Sequence, residues 1–496
     1  MGCPSLLYAS PLKNDIPFAA DAVFSDLMLT DTLRESVIRI LQRGASAVEI
    51  AARQEIFCLF ASDPAIARSF AALSESASVL ARLLRRYDAL SGDRGAAMVF
   101  THLAKEFLHF LNLAQLPASS GTLLGGFSAY IRTLRAHPQI GEMRRACADA
   151  PRWDDCTVRL RTVDASLQMN SATDTPWKAS FEADLADMGL PSSPPKQRSL
   201  RQMPPAFTAG LAKLRPGEYE ASRALHERFA PLLFSEEVDI RSLPALSDEI
   251  GFYTSVHAFA EELRGEGYPM SLPTLSEQRE IRLTGVRDIS LRRRGLRGEA
   301  VVPNDVHLTA DGGDNFFWLT GANGGGKTVY LRSAGIALLL AMNGCPVPCE
   351  GGCFAHFDRL MTHFPQSEDF RDTGRFDDEK RRADDIAAAA SPTVIALLNE
   401  TFSGTDEAKS AAASRTLAET LHQSGTFGIY VTHLHELTGG EIPTLAAVID
   451  ETDGNRRTYR IVRQPRTDSS HAADILYKYA LTREQLAERR RRLGKS

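Results

Sequence analysis

The chain has 496 residues, of which 43% are hydrophobic, 24% charged and 8% aromatic, and its formal net charge is −5. That length accommodates two to four domains with a sizeable core, and the composition is that of an ordinary globular protein. The mild acidity carries no electrostatic signature of a nucleic-acid binder, so any such binding requires a local basic face.

Seven cysteines, an odd number in so long a chain, argue for reduced thiols and against a disulfide framework. The opening "MGCPSLLYAS" has no basic region followed by a long apolar core, so no signal peptide is expected. Leu6 stands where a myristoylation motif calls for Ser or Thr. No run approaches the roughly eighteen apolar residues of a membrane span, and "IALLLAM" at 336–342 reads as a core helix segment. The expectation is a cytoplasmic protein with no membrane partner.

In chain order, residues 18–150 predict helices: "EIAARQEIFCLFASDPAIARSFAAL" sets apolar residues three and four apart, with Pro64 as punctuation. Residues 151–205 dissolve into polar and Pro-rich text ending "PSSPPKQRSLRQMPP", which reads as a variable insertion or linker. Helical periodicity resumes over 206–275. There Val256, Phe259, Ala260 and Leu263 form one stripe, ended by Gly265 to Pro269. From 276 to the end, short apolar runs ("NFFWLT", "TVIALL", "FGIYVT") alternate with helical segments, the texture of buried strands in a parallel or mixed sheet.

One stretch in that second half carries chemistry. "GANGGGKT" at 321–328 fits G-x-x-x-x-G-K-[ST], with an apolar strand leading in and an apolar helix leading out. Its glycines let successive backbone N–H groups face phosphate oxygens. Lys327 supplies charge, Thr328 offers a hydroxyl to Mg²⁺, and the helix adds its positive end. The strand "VIALL" then ends in Asn399-Glu400, where such ATPases usually deliver two acids: one for a Mg²⁺-bound water, one to orient the attacking water. Glu400 keeps the second role, whereas Asn399 accepts a hydrogen bond but brings no charge. A third strand leads to His433, placed as a γ-phosphate sensor. ATP and Mg²⁺ are the implied cofactors.

These residues together resemble the MutS family of mismatch-repair ATPases. The shared features are V-P-N-D at Val302 to Asp305, the G-x-N-x-G-G-K loop, Y-L-R at its helix start, the later G-x-x-V-P, and "THLHEL". The resemblance implies an α plus α/β chain: a helical core over 1–150, an insertion over 151–205 and lever helices over 206–275. A C-terminal phosphate-loop ATPase domain of the ABC type would follow over 276–496. It implies nucleotide contacts from Gly321, Asn323, Gly324, Gly325, Gly326, Lys327 and Thr328, with Val301 and Asn304 toward the base and Thr328 and Asn399 toward the metal. It implies catalytic roles for Glu400 and His433, DNA as partner, and a homodimer in which each signature segment completes the partner's site.

Departures accompany the likeness. The signature serine is replaced, leaving Thr373, Gly374 and Arg375 at that position, and Val301 stands where the family has a base-stacking aromatic. The chain begins almost directly at the helical core, without the domain carrying the Phe-x-Glu mismatch wedge, and the Phe-x-Glu at Phe234 and Glu236 falls in the expected lever. The expected function is therefore an ATP-gated dimeric ATPase of DNA repair or recombination, slow and not mismatch-selective. The alternative is a nucleotide-binding scaffold with little or no hydrolysis. A small-metabolite kinase fits less well, since the chain carries long helical arms and no recognisable lid. Cys345, Cys349 and Cys353 with His356 allow a zinc site to be drawn, but one strand segment holds all three thiols, which favours buried cysteines.

Overall fold

The computed structural model describes residues 3–9, 17–90, 94–117, 122–153, 157–163, 166–173, 205–365, 375–402, 407–434, 437, 441–450 and 456–464. The chain divides into two compact units, Met1–Ala9 with Cys58–Thr254, and Ser10–Phe57 with Ser255–Ser496.

The first unit is helical. α4 (Pro64–Ala89), α5 (Arg94–Leu113), α6 (Leu123–Ala136), α7 (Pro138–Ala148), α8 (Pro205–Leu214) and α9 (Pro216–Leu233) lie wholly within it. α3 (Ala47–Ser62) ends there and α10 (Ala245–Gly265) begins there. α5 is its axis: Met98, Phe100, Leu103, Ala104, Phe107, Phe110 and Leu111 are fully buried, and α4, α7, α8 and α9 pack around it. Its polar residues His102, Lys105, Glu106, His109 and Asn112 fall three and four apart on one stripe, and the rest of its surface is largely apolar and buried, which places the helix in the core. Helix starts follow capping chemistry: the Asp63 side chain accepts from Ala65 N at 2.8 Å ahead of Pro64, and Thr122 Oγ1 accepts from Gly125 N at 3.0 Å. The first residues are tied in, because Glu249 accepts from Leu6 N at 2.6 Å and from the Ser5 hydroxyl at 2.9 Å. Part of the stretch read as a linker is ordered as β1 (Thr157–Val163) and β2 (Ser166–Thr173), an antiparallel pair. "TVRLRTV" does alternate, the signal of a strand, but the Pro-rich text beyond it dominates the window.

The second unit is built on a six-stranded sheet in the order β12-β11-β6-β10-β9-β8, from β6 (Phe316–Thr320), β8 (Arg359–His363), β9 (Val394–Asn399), β10 (Phe427–Val431), β11 (Thr444–Asp450) and β12 (Arg456–Gln464). The pairs are parallel except at the edge, where β12 runs antiparallel to β11. β9 and β10 are buried along their whole length, which is why they read as unbroken apolar runs. One face packs Phe316, Trp318, Ala396, Leu398 and Tyr430 against α12 (Arg375–Ala388) and α13 (Glu407–Gln423). α11 (Lys327–Ala341) packs on β9 and β10, Leu397 coming close to its Gly335. A second sheet, β3-β7-β4-β5, uses β3 (Thr274–Leu275), β4 (Glu280–Val286), β5 (Asn304–Thr309) and β7 (Gly351–Phe354). The Tyr330 hydroxyl donates to Asp305 O at 3.0 Å and joins α11 to β5.

The unit boundaries fall elsewhere than the sequence suggested, because residues 10–57 belong to the sheet-bearing unit. α1 (Asp21–Asp26), α2 (Glu35–Arg43) and most of α3 are held there by polar clamps. Asp26 accepts from Arg382 at 2.6 Å and from the Thr362 hydroxyl at 2.7 Å. Arg53, fully buried, donates to the carbonyl and the side chain of Asn343, each at 3.2 Å. Such long-range bonds leave no local trace in the sequence. Among the described residues no single helix is long and apolar enough to cross a membrane.

Candidate functional site

β6, β9 and β10 are parallel neighbours, so their carboxyl ends open on one edge of the sheet, where α/β folds place their ligands. The glycine loop leaves the end of β6 and enters α11 at Lys327. Gly321 has φ 129°, and a Cβ there would stand 2.9 Å from the Ala447 Cβ of β11; Gly326 has φ 93°. Left-handed backbone and close approach both require glycine at the first position.

Lys327 is only 5% exposed. Its Nζ donates to Gly321 O at 2.7 Å and Ala322 O at 3.4 Å, so the loop's own carbonyls hold the ammonium. Burial pushes its pKa below the usual lysine value, the neighbouring Glu400 opposes that, and the Arg457 guanidinium reinforces it. Thr328 Oγ1 donates to Asn399 Oδ1 at 3.3 Å, which brings together the hydroxyl and the amide assigned to the metal. Glu400 follows Asn399 in a left-handed conformation (φ 49°), with its N–H on Val431 O at 3.0 Å. A non-glycine residue in this region is strained, and such strain gathers at functional sites. His433 Nδ1 lies 4.0 Å from Glu400 Oε1, and both side chains reach solvent. The structure therefore brings together Lys327, Thr328, Asn399, Glu400 and His433 around the loop.

Other expected residues are placed differently. Asn323 and Gly324 are exposed on the loop and Gly325 is buried in it. Val301 is buried, at 4% exposure, so it offers little surface to a base. The Asn304 side chain is engaged with β12: its Nδ2 donates to Tyr459 O at 3.0 Å, and its Oδ1 accepts from Ile461 N at 2.7 Å. Thr373 and Gly374 lie outside the described residues, and Arg375 is described only as the backbone start of α12. The thiols do not converge. Cys349 pairs with the Ser271 hydroxyl at 3.1 Å, Cys353 with Glu280 at 3.3 Å, and His356 with Ala45 O at 2.9 Å.

Two residues the sequence did not single out stand over the loop, both from β12. Ala447 pairs with Ile461 and Ile449 with Arg457, so one residue of β11 faces three of β12, a bulge. Inside it Tyr459 has φ 57° and is 49% exposed, with its ring 3.4 Å from where a Gly326 Cβ would stand. Arg457 Nη1 lies 3.1 Å from the equivalent point on Gly324, is buried, and has no hydrogen-bond partner among the described residues. Thr320 Oγ1, at the foot of the loop, is likewise buried and unpartnered. A cradle of positive-φ glycines, a buried ammonium and unpaired polar atoms suits a polyphosphate, which supplies acceptors and negative charge.

Residues 317–471 match MutS domain V. DNA mismatch repair protein MSH1 of Arabidopsis thaliana mitochondria is 39% identical over 26% of this chain and 12% of its own length. Endonuclease MutS2 of Pelotomaculum thermopropionicum is 34% identical over 29% of this chain and 19% of its own. DNA mismatch repair protein MutS of Chlorobaculum parvum is 25% identical, with 92% of this chain aligned to 52% of that protein. The chain thus spans about half, or less, of the length of these relatives. Its domain V match lies on the strands and loop that assemble the site, so over residues 317–471 the chain is similar to domain V of the MutS proteins.

Proposed function

We propose that the chain binds ATP with Mg²⁺ at the 321–328 loop and hydrolyses it slowly, within an ATP-gated homodimer that acts on DNA in repair or recombination. The observation that carries this reading is the meeting of Lys327, Thr328, Asn399, Glu400 and His433 at the carboxyl ends of three parallel strands. Lys327 would bind the terminal phosphates, while Thr328 and Asn399 would hold the magnesium ion and its water. The bound ion neutralises charge that develops on the phosphates. Glu400 orients the attacking water and His433 reads the terminal phosphate. The names of the relatives, two of them mismatch-repair proteins and one an endonuclease, support the DNA role.

Binding should not favour a mispair. The Phe234 ring of the Phe-x-Glu is stacked on Tyr87 at 5.1 Å and covered by the Arg241 guanidinium at 5.0 Å. The chain's other such pair, Phe259 and Glu261, has its ring under Arg292 at 5.8 Å. Neither ring is free to stack on a base, which leaves backbone contacts and shape as readouts. A gel-shift panel of matched, mismatched, branched and single-stranded DNA, with and without ATP, tests this, and clear mismatch discrimination overturns it.

The nucleotide assignment is tested by Lys327→Ala, which should lose ATP binding or weaken it by roughly 100-fold or more, the scale of a lost charge-assisted contact to phosphate. Unchanged affinity with an intact fold overturns the assignment. A second reading, a nucleotide-binding scaffold with little turnover, is favoured by Asn399, which carries no negative charge, and by Gly374 in place of the signature serine.

A further inference from the structure

We propose that Arg457 is a second phosphate-binding cation of this loop, and that it lets the chain hold a nucleoside triphosphate with little dependence on divalent metal. The proposal rests on the reading of 321–328 as an ATP site.

Three observations carry it. Arg457 comes from the edge strand, and the bulge between Ala447–Ile461 and Ile449–Arg457 brings its guanidinium onto the loop backbone at Gly324. Its Nη1 is buried there without a hydrogen-bond partner among the described residues, although a guanidinium nitrogen removed from water ordinarily finds an acceptor. No carboxylate among the described residues forms an ion pair with Arg457 or with Lys327, whose ammonium bonds only to backbone carbonyls. Two neighbouring cations, one buried and the other with a buried, unsatisfied nitrogen, repel each other until an anion of several charges enters.

The same balance bears on Asn399. Relative to a site with an acidic pair, the chain has one negative charge fewer on the metal side, while Arg457 stands as a cation on the phosphate side. Together the two features place more of the task of neutralising the triphosphate on the protein and less on the ion. Hydrolysis still needs Mg²⁺ near the reacting phosphate; binding does not need it to the same degree. Arg, with its fixed fork of donors, suits phosphate oxygens in a way a lysine does not fully reproduce.

The test is calorimetric titration of ATP, in excess Mg²⁺ and in excess EDTA, into the wild-type chain, Arg457→Gln, Arg457→Lys and Lys327→Ala. The wild type should weaken by no more than about 10-fold when EDTA replaces Mg²⁺. Arg457→Gln should weaken a further ~10- to 100-fold in EDTA, the range of one charge-assisted hydrogen bond, and lose less in Mg²⁺. Arg457→Lys should fall between the two. Arg457→Gln that binds ATP in EDTA as tightly as the wild type overturns the proposal while leaving the ATP site standing. So does a wild type whose ATP binding vanishes in EDTA, a result that needs no variant to fold. If the wild type binds no ATP in either buffer, or Lys327→Ala binds as it does, the assignment of the loop itself fails.

Discussion

Asn399 and Glu400 share the end of one strand, and the proposed function gives the first a part in binding and the second a part in turnover. Asn399 is nearly buried and accepts from Thr328, so its amide stands beside the Thr328 hydroxyl without a charge of its own. Mg²⁺ is commonly held through few carboxylates plus the substrate's phosphates, so ATP can bring the ion with it. Glu400, at φ 49° in the turn out of β9, keeps its carboxylate partly open to solvent, 4.0 Å from His433 Nδ1. Glu400→Gln should therefore abolish phosphate release while ATP affinity stays within about twofold, because only the group that orients water is lost. Asn399→Asp should leave the rate equal or raise it, and lower the Mg²⁺ concentration needed for half-maximal rate. If Asn399→Asp kills activity, the amide has a role of its own and this account of the site is wrong. Steady-state phosphate release across a Mg²⁺ titration reads all of these outcomes.

Among the elements, β6, α11, β9 and β10 were legible because each is short, apolar and bounded. A strand covered on both faces has no need to alternate, and "VIALL" and "FGIYV" follow that rule. The loop was legible because the turn from β6 into α11 needs glycines, three of which stand at positive φ. Three things were not. The 157–173 pair was hidden beside Pro-rich text, and the allegiance of residues 10–57 to the sheet rests on Asp26 and Arg53, whose partners lie hundreds of residues away. The β12 bulge depends on pairing register, which the alternation of "TYRIVRQ" does not disclose, so Arg457 and Tyr459 passed as ordinary strand residues. Asn304 braces that bulge through two backbone bonds, which makes it a positioning residue. Asn304→Ala should cost about 1–2 kcal/mol, the cost of two backbone groups left without that partner, and weaken ATP in EDTA more than in Mg²⁺. The clamp at Asp26 is tested by stability alone. Removing one partner of a buried pair costs on the order of 3 kcal/mol, and the partial solvent access of Arg382 lowers the expectation for Asp26→Ala to about 2 kcal/mol. Chemical denaturation of the two variants measures both.

For the whole molecule, the decisive question is whether one chain makes a complete site. The loop, the metal-side residues, Glu400 and His433 all come from a single chain, and Arg457 adds a cation from the same chain. What the family resemblance assigns to a second copy is the signature segment, whose Thr373, Gly374 and Arg375 precede or open α12. α12 is not free to wander: Arg382, two turns on, is fixed to Asp26 and to Thr362 O at 3.0 Å. With α12 anchored at Arg382, a partner that meets the helix does not bear the cost of ordering it first. C₂ pairing, the commonest soluble assembly, would bury two nucleotides between two such faces. ATP should then drive self-association: mass by light scattering should double with a non-hydrolysable ATP analogue, and Lys327→Ala should remain at the monomer value under the same conditions. Asp26→Ala, with α12 loosened, should need more protein to reach the same dimer fraction although its nucleotide site is untouched. A single monomer mass for the wild type, with and without the analogue and up to concentrations well above the nucleotide affinity, would sink the composite site and leave a self-contained ATP binder.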